Sequence, residues 1–175
     1  MRDMTQAERT RAIPTLGFNE ALREAWSKLT VFEGRSRRSE FWWTYLAVSI
    51  ANAVLSYIPV IGSLCSFVLW LAMIPLSFRR LHDTGRSGWW YGGGCILGII
   101  TFAVMFYYVF SQMAGMGSVP SENEMMGMMI VAFTTPAVLV CLLVALCYGI
   151  AMFVFFCQDS EPNANKYGES PKYVL

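Results

Sequence analysis

The side chains best suited to chemistry lie in a short charged segment between two long apolar runs. In residues 79–86, three arginines accompany Asp83 and His82, the only histidine of the chain. Guanidinium groups bind carboxylates and phosphates through charge-assisted hydrogen bonds, and histidine changes its charge near neutral pH. These residue types favour an ion-pair cluster or a site for a phosphate-bearing ligand.

Two further polar segments supply candidate partners for this charged segment. Residues 35–40 are a basic turn before the first apolar run, and residues 163–168 belong to the polar tail after the last one. Ion pairs close to a membrane are less screened than at an open surface, so salt bridges between segments are expected. The candidate partners are Arg35, Arg38 and Arg80 for Asp83, and Arg79 and Arg86 for Glu40. The candidate site consists of Arg35, Arg38, Glu40, Arg79, Arg80, His82, Asp83 and Arg86, with Asn165, Tyr167 and Gly168 as a tail motif.

The sequence indicates neither an enzyme nor a metal site. His82 and Asp83 are neighbours in sequence, so in a helix their side chains point apart and form no ready-made catalytic dyad. A general base assembled from His82 and Glu40 has no nucleophile motif to support it. The cysteines lack paired spacing and histidine partners, which favours packing over zinc binding. They are Cys65, Cys95, Cys141, Cys147 and Cys157. We therefore expect no catalytic residue, no metal and no cofactor.

The composition predicts a membrane protein. The chain of 175 residues is 55% hydrophobic and 14% charged, whereas soluble domains average roughly 25% charged residues. Residues 41–78 contain no Asp, Glu, Lys, Arg or His. One helix of that length would be nearly twice the ~30 Å thickness of the hydrocarbon layer, so the run must fold back near Pro59 and Gly62. The net charge of +1 gives no argument for nucleic-acid binding.

These apolar runs predict an all-α membrane protein with four transmembrane helices. The predicted spans are residues 41–58, 63–78, 89–110 and 136–157. Ser87 is placed to cap the third span, and Pro75 is placed to kink the second near its end. The chain then divides into a mobile N-terminal tail of residues 1–17, a membrane domain of residues 18–158 and a cytoplasmic C-terminal tail of residues 159–175.

An amphipathic helix is predicted before the first span, in residues 18–32. Its apolar side chains recur at three- and four-residue steps. They are Phe18, Leu22, Ala25, Trp26 and Leu29. Asn19 is placed to cap the helix, and Glu24 pairs favourably with Lys28 one turn later. We expect this helix to lie in the membrane interface with Trp26 at headgroup depth; packing against the helical bundle is the alternative.

The distribution of charge predicts the orientation of the four spans. Residues 1–40, residues 79–86 and the C-terminal tail would share one side of the membrane, and together they contain all thirteen Lys and Arg residues. The two loops on the other side contain only Glu122 and Glu124 as charged residues. Positively charged segments stay in the cytoplasm, so the sequence predicts that both termini are cytoplasmic.

A pair of glycines in the third span leaves two interpretations open. Gly94 and Gly98 have the small-xxx-small spacing that lets another helix approach closely. The second helix belongs either to the same bundle or to another copy of the chain. A homo-oligomer through these glycines is therefore one of the expected partners, beside membrane lipids and a partner membrane protein.

The outer loop and the segment after it are rich in methionine. Thioethers are soft ligands that suit Cu(I), although apolar methionines at a membrane interface are much commoner. The residues concerned are Met113, Met116, Met125, Met126, Met128 and Met129. The interface interpretation is therefore preferred to copper binding.

Three motifs of the chain resemble those of the domain-of-unknown-function family 805 of small bacterial inner-membrane proteins. The motifs are Phe32-Glu33-Gly34-Arg35-Ser36-Arg37-Arg38-Ser39-Glu40-Phe41-Trp42, Arg79-Arg80-Leu81-His82-Asp83-Thr84-Gly85-Arg86-Ser87-Gly88-Trp89 and Asn165-Lys166-Tyr167-Gly168 with Pro171. The resemblance covers about Phe18 to Pro171. It implies a multi-pass helical protein of the bacterial inner membrane and no established activity.

Several functions remain open for the charged segments. The arginines could form a structural ion-pair cluster that locks the helix ends, bind a lipid headgroup or phosphate-bearing ligand, or dock a partner protein. We expect a non-enzymatic membrane protein whose Arg-rich cytoplasmic face engages one of these. The alternative is a small-solute transporter or channel subunit, although the predicted spans contain no charged residue. Their most polar residues are Asn52, Ser56, Ser66, Thr101 and Thr134.

Overall fold

A computed structural model describes residues 11–116 and 119–174, and these residues form six α-helices and one pair of very short strands. The helices are α1 (Phe18–Ser27), α2 (Arg38–Leu55), α3 (Ile61–Asp83), α4 (Trp89–Ala114), α5 (Glu122–Thr134) and α6 (Pro136–Cys157). The strands β1 (Arg11–Ala12) and β2 (Tyr173–Val174) pair antiparallel. The predicted helical class is therefore correct, with one two-residue strand pair added.

Three helices, α3, α4 and α6, are long and apolar enough to cross a membrane. Their 23, 26 and 22 residues correspond to about 34, 39 and 33 Å, against a hydrocarbon layer of about 30 Å. The helix at the first predicted span is α2. Its 18 residues include Arg38 and Glu40, and α2 is not among the three. Length and apolarity thus support three spans directly.

The amphipathic helix α1 is shorter than the predicted helix of residues 18–32. It ends at Ser27, and Gly17 rather than Asn19 occupies its N-cap. The cause of the early end lies in the next turn. Arg79 Nη1 donates hydrogen bonds to the carbonyl oxygens of Lys28 and Val31, at 2.7 and 3.2 Å. These carbonyls therefore have partners outside α1, and the chain turns instead of continuing as a helix.

The fold-back predicted near Pro59 and Gly62 is the turn between α2 and α3. The chain leaves α2 after Leu55 and enters α3 at Ile61. Gly62 is buried, and a Cβ atom at this position would collide with the carbonyl group of Leu55. The close approach of the two helices therefore requires a residue without a side chain.

Helix α3 continues five residues beyond the predicted end at residue 78. Pro75 lies inside it, and the charged residues that were expected to form a turn complete its last turns as far as Asp83. The helix then ends through Gly85, whose φ of +72° favours glycine. Glu161 also occupies the space where a Cβ of residue 85 would lie. The actual turn before α4 is thus only residues 84–88.

Of the remaining helices, α4 is longer than predicted and α6 is not. The N–H of Trp89 donates to Ser87 Oγ at 3.3 Å, and α4 runs to Ala114, four residues past its predicted end. The Met-rich segment forms a separate helix, α5. It is broken from α6 at Thr135, which is extended because the next residue is proline. Helix α6 has the predicted bounds.

The described residues form two compact units, of which the first contains the residues up to Tyr91 and those from Val154 onward. Its core lies where α1, α2 and α3 meet, and contains Ala25, Phe41, Met73 and Leu76. The Phe156 ring stacks on Phe41 with a centroid distance of 4.4 Å. The buried face of α1 is therefore packed against other helices.

The second unit, Gly92–Phe153, has few buried side chains. Those with the lowest exposure are Met128, Ala132, Val138 and Met152. A Cβ at Gly94 would lie 3.1 Å from the Tyr148 ring, whereas a Cβ at Gly98 would meet nothing within 4 Å. Gly94 therefore packs inside this unit, and Gly98 faces open space. The homo-oligomer expected through this pair stays a prediction.

Part of the N-terminal tail, which was expected to be mobile, is held by the C-terminal tail. Residues 1–10 of the N-terminal tail lie outside the described residues. The rest of that tail pairs with the C-terminal tail through β1 and β2, and the N–H of Ile13 donates to the Lys172 carbonyl at 2.8 Å. Arg37 Nη1 adds a hydrogen bond to the Pro14 carbonyl at 2.8 Å. Residues 11–17 are thus held by main-chain and side-chain contacts.

Candidate functional site

Asp83 lies at the centre of a group of buried charges at the end of α3. Its Oδ1 accepts a hydrogen bond from Arg35 Nε at 3.0 Å, and its Oδ2 accepts one from Arg80 Nη1 at 2.7 Å. The Ser160 hydroxyl also donates to Oδ2. The side chains of Asp83 and Arg80 are 0% exposed. Burial of an unpaired carboxylate would be very unfavourable, so these three donors are needed to stabilise the Asp83 carboxylate at this buried position.

Arg35 ties this carboxylate to the main chain of the C-terminal tail. Its Nη groups donate to four carbonyl oxygens, and its Nε is engaged by Asp83, so all five N–H donors of the guanidinium group have partners. The carbonyls belong to Asp83 (3.3 Å), Glu161 (2.6 Å), Asn163 (2.9 Å) and Gly168 (3.3 Å). Arg35 is 1% exposed. No donor of this guanidinium group is left for a ligand.

Arg79 forms a second buried pair with Glu40, across α3 and α2. The distance between Arg79 Nη2 and Glu40 Oε1 is 3.1 Å, and the two side chains are 1% and 4% exposed. Arg79 Nε also donates to the Ser36 hydroxyl at 3.1 Å, and the Ser36 N–H donates to the Arg79 carbonyl at 3.1 Å. This pair therefore fixes the segment before α2 against the end of α3.

Arg80 connects α3 with the end of α6. Its Nε and Nη2 donate to the Phe156 carbonyl at 3.2 and 3.1 Å, and Nη2 also donates to the Gln158 carbonyl. The last carbonyls of a helix have no partner within it, and a guanidinium group is well suited to bind them. The buried cluster is defined hereafter as Arg35, Glu40, Arg79, Arg80 and Asp83.

His82 and the tail motif form a stacked contact beside the buried cluster. The imidazole ring lies parallel to the Tyr167 ring, with a centroid distance of 3.7 Å and an angle of 7°. His82 Nδ1 lies 3.1 Å from the Gly34 carbonyl oxygen, which requires the proton on Nδ1. Asn165 Nδ2 donates to the His82 carbonyl at 3.0 Å, and the main chains of Asn165 and Gly168 exchange two hydrogen bonds. The tail motif therefore covers His82.

Two arginines of the candidate site lie outside the buried cluster. Arg38 was expected as a partner of Asp83, but its Nη2 lies 3.4 Å from Asp159, and these side chains are 46% and 47% exposed. Arg86 was expected near Glu40, but its Nη1 donates to Gln158 Oε1 at 2.5 Å. Its guanidinium carbon lies 4.2 Å from the centre of the Phe155 ring. Both side chains border the end of α6.

An ion pair in the tail has shifted pKa values. Lys172 Nζ lies 2.5 Å from Asp159 Oδ2. Partial burial raises the pKa of Asp159, but hydrogen bonds from Lys172 and from the Ser160 N–H, with the charge of Arg38, outweigh it and hold the pKa below the usual aspartate value. Partial burial lowers the pKa of Lys172, but Asp159 outweighs it and holds the pKa above the usual lysine value. Each residue of the pair is therefore stabilised in its charged form.

Sequence reasoning missed several partners of the cluster. Ser36 and Ser160 are hydroxyl partners, and Arg37, which was not included in the candidate site, is buried and donates to the carbonyls of Ile13 and Pro14. Many other acceptors are main-chain carbonyls, which leave no trace in side-chain identity. The one available signal was polarity, because Ser160 lies directly after the last apolar run.

The cluster is closed rather than open to a ligand. Its carboxylates and guanidinium groups are buried and bound to each other, to hydroxyls and to main-chain carbonyls. Within residues 11–116 and 119–174, no group of three or more His, Cys, Asp or Glu side chains is placed to hold a metal ion. The geometry is therefore suited to joining chain segments. In the Met-rich segment, Met128 is 5% exposed and so is unavailable as a surface ligand.

The chain matches a known protein family over most of its length. A family described as "Protein of unknown function (DUF805)" matches residues 29–169. The chain belongs to the DUF805 family. The matched range contains every residue of the buried cluster and the tail motif that covers His82. The resemblance expected from the three motifs is therefore confirmed.

Curated relatives of this DUF805 protein place it in a membrane. It is 25% identical over 150 residues to the inner membrane protein YhaI of Escherichia coli strain K12, covering 81% of this chain and 86% of YhaI. It is 31% identical over 106 residues to the inner membrane protein YhaH of the same strain, covering 53% of this chain and 82% of YhaH. No solved structure matches. This DUF805 protein is a multi-pass protein of the bacterial inner membrane.

Proposed function

We propose that this DUF805 protein is a non-enzymatic component of the inner membrane that crosses it four times, with both ends in the cytoplasm. The fourth crossing is α2, which packs beside α3 after the tight turn at Gly62. With α2 as a span, the thirteen Lys and Arg residues all lie on the cytoplasmic side. That distribution is the one that membrane insertion favours.

The Arg-rich face has two parts in this proposal. The buried cluster is structural: it joins the ends of α3 and α6, the segment before α2 and the C-terminal tail. The exposed part includes Arg38 and Lys166, which engage the anionic headgroups of the cytoplasmic leaflet. The observation that carries this division is the complete use of the Arg35 donors by protein acceptors.

The non-enzymatic role is supported by the positions of the two residues most suited to acid–base chemistry. His82 is covered by Tyr167 and hydrogen-bonded to Gly34, and Asp83 is bound by two guanidinium groups and a hydroxyl. A general acid or base must reach the proton that it transfers, and neither group is open to a substrate. No contact favours the alternative of a transporter or channel, which stays a prediction.

Lipid retention tests the exposed part of the face. The full chain is purified in a mild detergent, incubated with mixed phosphatidylglycerol and phosphatidylcholine of equal chain length, and examined by native mass spectrometry. The variant with Arg38→Gln and Lys166→Gln should retain several-fold less phosphatidylglycerol, because each basic residue near the surface attracts anionic lipid by about 1 kcal/mol.

A charge-conserving variant, Arg38→Lys with Lys166→Arg, serves as the matched control and should retain the lipid as the unmodified chain does. The thermal unfolding temperatures of all three proteins should agree closely, since exposed pairs contribute little to stability. Equal phosphatidylglycerol retention by the neutral and the charge-conserving variants would refute the proposed role of the exposed arginine and lysine.

A further inference from the structure

A large apolar cavity lies beneath the amphipathic helix α1. Its volume is about 530 Å³, and α1, α2 and α3 all contribute to its walls. The small side chains Ala47, Ala51 and Ala72 leave the space, and Leu69 and Leu76 border it on α3. The exposed side chains Arg23 and Trp26 also line the cavity, so it is partly open to the surface. An apolar cavity that opens on the surface can be filled from the membrane.

The apolar walls of the cavity favour hydrocarbon as the occupant. Water fills a cavity only where several polar groups can bind it, and these walls are almost wholly aliphatic or aromatic. On α3 the lining runs from Leu69 to Leu76, about 10 Å along the helix axis. It ends three residues before Arg79 of the buried cluster. The cavity therefore extends away from the charged end of α3 into its apolar part, where acyl chains lie in a membrane.

One residue of the cavity wall is positively charged. Arg23 lines the cavity and is exposed, and it has no ion-pair or hydrogen-bond partner among the described residues. Lys28 on the same helix is already paired with Glu24. Trp26, which also lines the cavity, is 75% exposed, and indole rings favour the headgroup region. The exposed part of the wall thus combines an available guanidinium group with a membrane-interface ring.

We propose that this cavity binds one acyl chain of an anionic phospholipid whose phosphate is held by Arg23. The positive guanidinium group complements the phosphate, and the aliphatic walls complement the chain. The bound lipid fills the space beneath α1 and completes its packing against α2 and α3. The choice of an anionic lipid rests on the cytoplasmic position given to α1 under the proposed function.

Native mass spectrometry of the full chain with added phosphatidylglycerol or phosphatidylcholine tests the site. One tightly held phosphatidylglycerol is expected per chain, beside the more weakly held lipid that Arg38 and Lys166 attract. The substitution Ala47→Phe places an aromatic ring in the cavity and should reduce retention of the tightly held lipid at least tenfold. Ala53→Phe adds the same ring to an exposed position of α2 that does not line the cavity, so it should leave retention unchanged. Arg23→Gln should reduce the preference for phosphatidylglycerol over phosphatidylcholine about fivefold.

A phosphatidylglycerol with a photoreactive acyl chain provides a measurement on the unmodified chain, should Ala47→Phe fail to fold. Cross-links are expected on α1, α2 and α3 at cavity residues such as Leu22, Ala51 and Ala72. Cross-links confined to other helices would overturn the proposal, as would equal retention by Ala47→Phe and Ala53→Phe. A cross-linked or mass-resolved dimer occupying the cavity would overturn it too, because a second copy would then be the occupant.

This test is independent of the membrane orientation. Lipid retention in detergent does not depend on which side α1 faces, whereas labelling of cysteines from one side of the membrane does. The two measurements therefore distinguish a wrong membrane threading with an intact lipid site from a correct threading without a lipid site.

Discussion

At the residue scale, Asp83 shows how a charged side chain can be buried in a membrane protein. Its carboxylate is bound by Arg35, Arg80 and Ser160, which come from three separate parts of the chain. Taking the charges out of water is costly, so the group is stable only while every partner is present. Removal of one charge should consequently be much worse than removal of an exposed pair.

The substitution Asp83→Asn tests this asymmetry. It leaves two buried guanidinium groups without a counter-charge, so the free energy of unfolding should fall by about 3–5 kcal/mol. The measurement is denaturant unfolding in detergent micelles. Arg38→Gln, which removes the half-exposed pair with Asp159, is the control and should cost about 0–1 kcal/mol. Similar losses in the two variants would contradict the structural role of the cluster.

The sequence allowed part of this cluster to be predicted. Asp83 was matched with Arg35 and Arg80, and Glu40 with Arg79, because these residues border apolar runs that must end at one membrane surface. Arg38 was wrongly included among the partners of Asp83. It follows Arg35 by three residues, and sequence position alone does not show which of the two side chains faces inward. Main-chain acceptors such as the Phe156 carbonyl could not be foreseen, since any residue supplies one.

At the element scale, the α2–α3 turn depends on the absence of a side chain at Gly62. A methyl group there would collide with the Leu55 carbonyl, so the two helices would have to separate. Gly62→Ala should therefore lower the free energy of unfolding by about 1–3 kcal/mol, the usual range for overpacking. Thermal unfolding in detergent measures the effect.

Gly98→Ala is the matched control for the turn. It makes the same substitution in a helix, where a Cβ would meet nothing within 4 Å, and alanine favours the helix over glycine by up to about 1 kcal/mol. Its unfolding temperature should stay the same or rise. A loss at Gly98 as large as the loss at Gly62 would show that the turn has no special packing requirement.

The sequence predicted the helices more accurately than the residues at which they end. The long apolar runs predicted α2, α3, α4 and α6, because a membrane helix needs a long run without charge. It placed the end of α3 at residue 78, since charges were taken to mark the membrane surface and the end of the helix together. In the structure the charged residues continue the helix to Asp83, because each finds a partner in another segment. Such partners are tertiary contacts and have no local signal.

The C-terminal tail carries a pH dependence through Asp159 and Lys172. The pKa of Asp159 is held below its usual value, so its contribution to tail attachment is complete above about pH 4 and is lost as pH falls through the lowered pKa. The pKa of Lys172 is raised, so its contribution is complete below about pH 10 and is lost as pH rises through the raised pKa.

Amide hydrogen exchange of residues 159–174 measures this attachment. At each pH the unmodified chain is compared with Asp159→Asn, which cancels the effect of pH on intrinsic exchange. The unmodified chain should be better protected at neutral pH, and the difference should vanish in strong acid. A difference that persists after Asp159 is protonated would show that the charge of this residue does not hold the tail.

At the scale of the whole molecule, the proposed function depends on how the chain crosses the membrane. Three helices qualify as spans by length and apolarity, and an odd number of spans would place the two tails on opposite sides. Yet β1 and β2 pair the two tails, and hydrogen bonds of the buried cluster join the segment before α2 to the C-terminal tail. Tails that touch share one side, which supports the proposal that α2 is the fourth crossing.

Labelling of single cysteines from outside the cell tests this threading most directly. The five native cysteines are replaced by serine, and one new cysteine is introduced at Glu33, before α2, at Glu122, the first residue of α5, or at Glu169, in the tail; all three positions are exposed. A membrane-impermeant maleimide is added to cells with a permeabilised outer membrane and an intact inner membrane. Four crossings with cytoplasmic ends predict labelling at position 122 in intact cells, and at positions 33 and 169 only after the inner membrane is broken. Labelling of positions 33 and 169 from opposite sides would contradict four crossings, because only three crossings would then separate them.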